Sequence, residues 1–151
     1  MSLQKTILIV DDEEILVSVL VEILESPEKK ILSASNGQIG LEIIEKGGID
    51  CVVCDLKMPV MDGLELIKRV RAKNIDVPVI FYSGHEEKET KINVIQYGVF
   101  DFIDKPELPH LEEIINRALG KPKNEEFKFV SEYQKLIKEN LKLKGNKANN
   151  S

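Results

Sequence analysis

The feature that most constrains the fold is a regular alternation of short apolar runs with longer segments of helical periodicity. In the longer segments apolar residues recur three and four positions apart, as they do along one face of an amphipathic helix. Strands are predicted at Thr6–Val10, Lys30–Ala34, Ile49–Cys54, Val77–Tyr82 and Phe100–Ile103. Helices are predicted at Ile15–Leu24, Ile39–Glu45, Leu64–Arg71, Glu86–Tyr97 and Leu108–Leu119.

Five consecutive strand–helix units predict an α/β fold with a parallel sheet. Parallel strands need crossover connections, and the helices in those connections cover both faces of the sheet. At this size we expect the flavodoxin-like (βα)5 doubly wound arrangement with strand order 2-1-3-4-5. We expect one such domain over residues 1–120, followed over 121–151 by a polar linker, an amphipathic helix and a disordered end.

The net charge of −5 is distributed unevenly along the chain. Residues 121–151 hold eight lysines and four glutamates, a balance of +4, so the preceding part carries −9. An acidic body argues against binding to nucleic-acid phosphates, which requires clustered lysine and arginine. No apolar run is long enough to span a bilayer and no signal peptide opens the chain, so we expect a cytoplasmic protein without membrane contact.

Cys51 and Cys54 form a C-x-x-C pair. A structural zinc site needs four ligands, and the remaining sequence offers no second cysteine pair and only His85 and His110. The pair lies inside an apolar strand, where residues three apart face opposite sides of the sheet. We therefore predict two small buried hydrophobic residues rather than a metal or redox site.

Polar residues follow four of the predicted strands, namely Asp11, Asp12, Asp55, Ser83, Gly84 and Lys105. A parallel sheet brings such residues to one edge. Each also has a structural explanation: the first two aspartates would cap a helix, Asp55 would be a loop residue, Ser83 would cap the fourth helix and Lys105 would lie on the surface. These separate structural explanations would all have to hold at the same edge of the sheet. A single functional cluster is therefore favoured.

The charges of this cluster favour a metal site. Three carboxylates held together repel one another unless a cation lies between them. Mg²⁺ suits them because it is a hard ion that takes carboxylate, carbonyl and water oxygens. The metal and Lys105 would balance the three aspartates. Phosphorylation of Asp55 would replace one negative charge with about two, and the metal, Lys105, the Ser83 hydroxyl and a backbone N–H near Gly84 would stabilise them.

The residues at these positions resemble the signature of response regulator receiver domains in order and spacing. The matching stretches are 7–13 (ILIVDDE), 55–63 (DLKMPVMDG), Ser83-Gly84 and Lys105-Pro106, within a region of about residues 4–120. The resemblance implies a flavodoxin-like fold and a two-component signalling switch rather than an enzyme. It implies that Asp55 accepts a phosphoryl group from the phosphohistidine of a histidine kinase or a phosphotransfer protein.

The resemblance also implies roles for single residues. The implied Mg²⁺ ligands are Asp11, Asp12, Asp55 and the backbone carbonyl of Lys57, with Asp11 acting mainly through water. Lys105 would contact the phosphoryl group, and a cis peptide bond is expected between Lys105 and Pro106. The Ser83 hydroxyl would move toward the phosphoryl group, and Gly84 would keep the approach to it open.

The resemblance also implies that one pair of residues, Ser83 and Phe102, takes part in switching. It implies that a second pair, Lys57 and His85, affects the lifetime of the acyl phosphate. Ser83 and Phe102 would move together and remodel the surface of the fourth helix, fifth strand and fifth helix for an effector, a fused output domain or a second copy of the chain. The alternative for Phe102 is a plain core residue. Lys57 and His85 would tune hydrolysis of the acyl phosphate, and the alternative for both is a solvated side chain at the rim.

Two other functions use similar residues. A Mg²⁺-dependent aspartyl-phosphate phosphohydrolase of the haloacid dehalogenase type places its nucleophile on the first strand in a D-x-D pattern. This chain instead has adjacent Asp11 and Asp12, and Asp55 lies far downstream. A pseudo-receiver that only binds partners is disfavoured, because every position with a chemical role is filled.

Overall fold

The computed structural model describes residues 4–84 and 86–120, along which five strands and five helices alternate. The strands are β1 Lys5–Val10, β2 Lys29–Ala34, β3 Cys51–Cys54, β4 Val79–Ser83 and β5 Asp101–Asp104. The helices are α1 Glu14–Leu24, α2 Gly37–Glu45, α3 Gly63–Ala72, α4 Lys88–Ile95 and α5 Leu108–Gly120. His85 and the linker and helix predicted over 121–151 lie outside the described residues. None of the helices described is both long and apolar enough to cross a membrane.

All neighbouring strands pair in parallel, in the order β2-β1-β3-β4-β5, which confirms the predicted doubly wound fold. Val10, the last residue of β1, pairs with Ala34 on one side and Cys54 on the other. Ser83 pairs with Asp104 where β4 and β5 end. The carboxyl ends of the strands therefore meet at one edge of the sheet, where this class of fold places its functional site.

The observed boundaries differ from the predicted ones by one or two residues, most clearly at α4 and β4. The predicted fourth helix covers Glu86–Tyr97, whereas α4 covers only Lys88–Ile95. Its last predicted turn is replaced by a tighter turn that ends at Gly98, whose φ is 78°. The fourth strand begins after Pro78 rather than at Val77, because proline has no N–H to donate to the sheet.

The sheet separates two apolar layers, and the two cysteines of β3 pack into different layers. Cys51 packs with α1 and α5, whereas Cys54 packs with α2, α3 and α4. Both thiols are buried and free, and burial raises the pKa of Cys51 to about 12 and that of Cys54 well above its usual value. The prediction of two small buried hydrophobic residues is confirmed.

Helix α1 packs on the sheet with only part of its apolar surface. Leu20 and Leu24 are buried, whereas Ile15, Val19 and Ile23 are 84%, 39% and 46% exposed. The exposed residues are four positions apart and therefore lie in one row along the helix. The sequence periodicity of α1 thus reflects two apolar rows, of which one belongs to the core.

Two glycines hold the loop between β3 and α3 close to its neighbours. The Gly63 N–H donates to the carbonyl of Leu56, and the Gly37 N–H donates to that of Met61. A methyl group on Gly63 would collide with the Asp55 carbonyl and lie 2.8 Å from the ring of Phe81. The glycine at the end of the 55–63 stretch is therefore needed for close packing behind Asp55.

One residue of the same loop has an unfavourable backbone conformation. Val60 has a φ of 70°, although its side chain is β-branched and 83% exposed. The Met61 N–H donates to the Pro59 carbonyl at 2.8 Å, so Val60 is the central residue of a γ-turn with positive φ. Such a backbone conformation costs about 1–3 kcal/mol, and no packing of an exposed side chain offsets that cost. Asn74, with a φ of 59°, also has a positive φ, but with a residue type that tolerates it.

Replacing Val60 by asparagine should therefore stabilise the fold. We expect Val60→Asn to raise the free energy of unfolding by about 1 kcal/mol, measured as a higher urea midpoint with an unchanged slope. The reverse exchange, Asn74→Val, is the matched control and should lower the free energy by a similar amount. An unchanged or lower midpoint for Val60→Asn would contradict this explanation.

Candidate functional site

Two aspartates are buried where β1 and β3 end. Asp11 is 4% exposed and Asp55 is 7% exposed. Their backbone N–H groups donate to the carbonyls of Ala34 and Val10, so sheet hydrogen bonding continues one residue past each strand. Asp12 is exposed beside them, and one carboxylate oxygen from each of the three aspartates lies within 4.8 Å of the others. The structure therefore brings together the three predicted carboxylates.

Lys105 binds three carboxylates at once. Its Nζ lies 2.9 Å from Asp11 Oδ2, 3.2 Å from Asp55 Oδ2 and 3.1 Å from Glu13 Oε1. Burial alone would lower the pKa of Lys105, but its hydrogen bonds to Asp11 and Glu13 and the charge of Asp55 raise it well above its usual value. With 14% of its side chain exposed, Lys105 is not the surface lysine of the alternative explanation. Its peptide bond to Pro106 is cis, as expected.

The carboxyl group of Asp11 has a raised pKa despite its contact with Lys105. Burial raises the pKa of Asp11, and the nearby charge of Asp55 raises it further. Hydrogen bonds from the Glu13 N–H and from Lys105 lower it, but the balance stays above the usual value. A cation beside these oxygens would favour the charged form of Asp11. The donor set of close carboxylate oxygens fits a hard divalent ion such as Mg²⁺.

Ser83 connects Asp55 to the loop that follows β4. Its hydroxyl lies 2.8 Å from Asp55 Oδ1 and 3.0 Å from Glu86 Oε1. The N-cap of α4 is Glu87, so Ser83 is not the helix cap of the alternative explanation. Gly84 is exposed, and a Cβ built on it would meet no atom within 4 Å, so this side of the site is open.

Of the two residues expected to tune the lifetime of the acyl phosphate, Lys57 and His85, the structure describes only Lys57. The Lys57 side chain is 83% exposed, and its Nζ lies 3.8 Å from Glu86 Oε2. Lys57 therefore lies at the rim of the site, where it forms an ion pair with Glu86. His85 lies outside the described residues. The roles of Lys57 and His85 in hydrolysis, and of the Lys57 carbonyl as a ligand, stay predictions.

Phe102 lies on β5 next to Phe81 of β4 in the sheet register. The two rings are 5.6 Å apart between centroids and inclined by 21°, and Phe102 is half-buried. The Nζ of Lys91, on α4, lies 5.9 Å from the centre of the Phe102 ring. Phe102 thus packs on the core and borders α4, and its switching role stays a prediction.

Two glutamates of the site were not identified from the sequence. Glu13 follows the two aspartates directly, but its contact with Lys105 joins residues 92 positions apart and has no local signal. Glu86 is the first residue of the predicted fourth helix, and its place in the sequence does not indicate a contact with Ser83. Because α4 begins only at Lys88, Glu86 lies in a loop and turns toward Ser83.

Known proteins resemble this chain in sequence. The protein-glutamate methylesterase/protein-glutamine glutaminase of Clostridium acetobutylicum is 36% identical over 107 residues, which cover 68% of this chain and 31% of that protein. The alkaline phosphatase synthesis transcriptional regulatory protein PhoP of Bacillus subtilis is 32% identical over 107 residues, covering 71% of this chain and 45% of that protein. The chain thus spans less than half of the length of these curated relatives.

Solved structures and a family model agree with this resemblance. The chemotaxis protein CheY4 of Vibrio cholerae matches with a TM-score of 0.71 and 25% identity, covering 77% of this chain and 99% of that chain. The response regulator protein TrrA of Thermotoga maritima, solved in complex with Mg(2+)-BeF, matches with a TM-score of 0.69 and 27% identity, covering 77% and 100%. The model of the response regulator receiver domain matches residues 7–118, and the chain therefore belongs to the response regulator receiver domain family.

Proposed function

We propose that this protein is a two-component signalling switch in which Asp55 accepts a phosphoryl group from the phosphohistidine of a histidine kinase or phosphotransfer protein, with Mg²⁺ as cofactor. The observation that carries the proposal is the environment of the Asp55 carboxylate. It is buried, accepts hydrogen bonds from Lys105 and Ser83, and lies within reach of Asp11 and Asp12. Family membership supports phosphorylation of an aspartate at this edge of the sheet.

Asp11, Asp12, Asp55 and the Lys57 backbone carbonyl would hold Mg²⁺, which would offset negative charge on the phosphoryl oxygens. In the transfer, an Asp55 oxygen bonds to phosphorus while the bond from phosphorus to the donor's imidazole nitrogen breaks. Lys105 supplies a positive charge that is already in place 3.2 Å from Asp55 Oδ2. Ser83, which now donates to Asp55 Oδ1, would donate to a phosphoryl oxygen instead.

The positions of the aspartates disfavour the phosphohydrolase alternative. In this chain Asp55 follows the third strand, whereas a haloacid dehalogenase nucleophile follows the first. The methylesterase and transcriptional activities belong to the relatives that carry those names, and the chain spans less than half of each. We propose a receiver without an enzymatic output of its own, acting on an effector protein or a fused output domain, with a homodimer through α4, β5 and α5 as a further form.

We also propose that Lys57 and His85 adjust the lifetime of the acyl phosphate. Lys57 follows Asp55 by two positions, and His85 follows Ser83 by two. The exposed ammonium of Lys57, which is paired with Glu86 at 3.8 Å, would turn to a phosphoryl oxygen and obstruct the attacking water. Protonated His85 would act in the same way.

Small phosphodonors should label the protein once, on Asp55. We expect acetyl phosphate or phosphoramidate to add a single phosphoryl group in the presence of Mg²⁺ and almost none with a chelator, because the metal offsets the added charge. Intact mass measures the label, and Asp62→Asn, which changes an exposed aspartate of the same loop, should be labelled like the wild type. Labelling of Asp55→Asn to the wild-type extent would exclude Asp55 as the acceptor.

Phosphorylation should shift a two-state equilibrium rather than change the site alone. Moving such an equilibrium from 1:99 to 99:1 takes about 5.5 kcal/mol, which a few charge-assisted hydrogen bonds of about 1.5–3 kcal/mol each would supply. With beryllofluoride and Mg²⁺ we expect amide NMR shifts at Ser83 and Phe102 and along α4, β5 and α5. Shifts confined to the loops around Asp55 would show that no such switch exists.

A further inference from the structure

The hydroxyl group of Ser83 lies between two carboxylates. Its Oγ is 2.8 Å from Asp55 Oδ1 and 3.0 Å from Glu86 Oε1. A serine hydroxyl has one proton to donate, so it can satisfy only one of the two acceptors at a time. Asp55 and Glu86 therefore compete for the same donor.

Glu86 is built into this part of the site. Its side chain is only 10% exposed, and its second oxygen is 3.8 Å from the ammonium of Lys57, which is 83% exposed. An ion pair with such an exposed partner is weak because solvent screens it. The contact with Ser83 therefore matters most among the described contacts of Glu86. Glu86 also lies two residues before the start of α4.

We propose that Glu86 is a positioning residue that holds Ser83 in its unphosphorylated arrangement and opposes the phosphorylated state. The proposal rests on phosphorylation of Asp55. The oxygens of a phosphoryl group on Asp55 need the proton of Ser83, and the carboxylate of Glu86 competes for it. Glu86 has to release Ser83 before the switch is complete. Because Glu86 lies two residues before α4, its release would act on the short segment that leads into that helix.

The test is the affinity for beryllofluoride in the presence of Mg²⁺, measured by titration with amide NMR on the full chain. Glu86→Gln keeps the size of the side chain but weakens it as an acceptor. We expect it to bind beryllofluoride about three- to tenfold more tightly than the wild type, as loss of a competing charge interaction of this kind predicts. Glu87→Gln, the same change at an exposed neighbour, should leave the affinity unchanged. The amide spectra also show whether each variant is folded.

Repeating the comparison in a Ser83→Ala variant distinguishes positioning of Ser83 by Glu86 from simple charge repulsion. In Ser83→Ala, the effect of Glu86→Gln should fall below about twofold, because the hydroxyl through which Glu86 acts is gone. A full gain in that background would mean that Glu86 acts on the phosphoryl charge alone, and the positioning role would be wrong. It would also be wrong if Glu86→Gln had no effect or Glu87→Gln had the same effect. A wild type that does not bind beryllofluoride would instead contradict the proposed function itself.

Discussion

The ammonium group of Lys105 and the buried carboxylates of Asp11 and Asp55 stabilise one another, and the functional edge of the sheet depends on this interaction. Buried carboxylates without a partner would cost several kcal/mol each. The two aspartates cannot move apart, since sheet hydrogen bonds fix their backbones on adjacent strands. Lys105 reaches them from the end of β5 and stays charged because its hydrogen bonds to the carboxylates raise its pKa.

The remaining features of the site follow from an excess of negative charge. Lys105 is shared among Asp11, Asp55 and Glu13, and Glu86 lies on the far side of Ser83. Burial, and then the charge of Asp55, raise the pKa of Asp11, and the hydrogen bonds from the Glu13 N–H and Lys105 do not restore it to its usual value. Such a site would favour a divalent cation, and without one a further negative charge would be unfavourable. Under the proposed function, phosphorylation would change the charge at this site, and the Ser83 hydroxyl beside Asp55 would respond to it.

Much of this arrangement could be predicted from the sequence because it follows from topology. Once five strand–helix units imply a parallel sheet, the residues after the strands must meet at one edge, and Asp11, Asp55 and Lys105 do so. Their contacts depend on the sheet and not on helix ends, so errors of one or two residues in the boundaries did not affect them.

What could not be predicted depends on long-range packing or on exact helix ends. The contact of Glu13 with Lys105 has no local pattern, and Glu86 faces Ser83 only because α4 begins at Lys88. The exposed row on α1 has the same spacing as a core row, so periodicity cannot distinguish the two. The positive φ of Val60 could not be predicted either, because a β-branched residue rarely adopts such a backbone.

The most direct test of the charge balance is calorimetric titration with Mg²⁺ of the wild type, Asp11→Asn and Lys105→Met. We expect one ion per chain for the wild type and weaker binding for Asp11→Asn, which removes a carboxylate. We expect tighter binding for Lys105→Met, because the competing ammonium is removed from Asp11 and Asp55. Absence of Mg²⁺ binding by the wild type, or weaker binding by Lys105→Met, would contradict this charge balance.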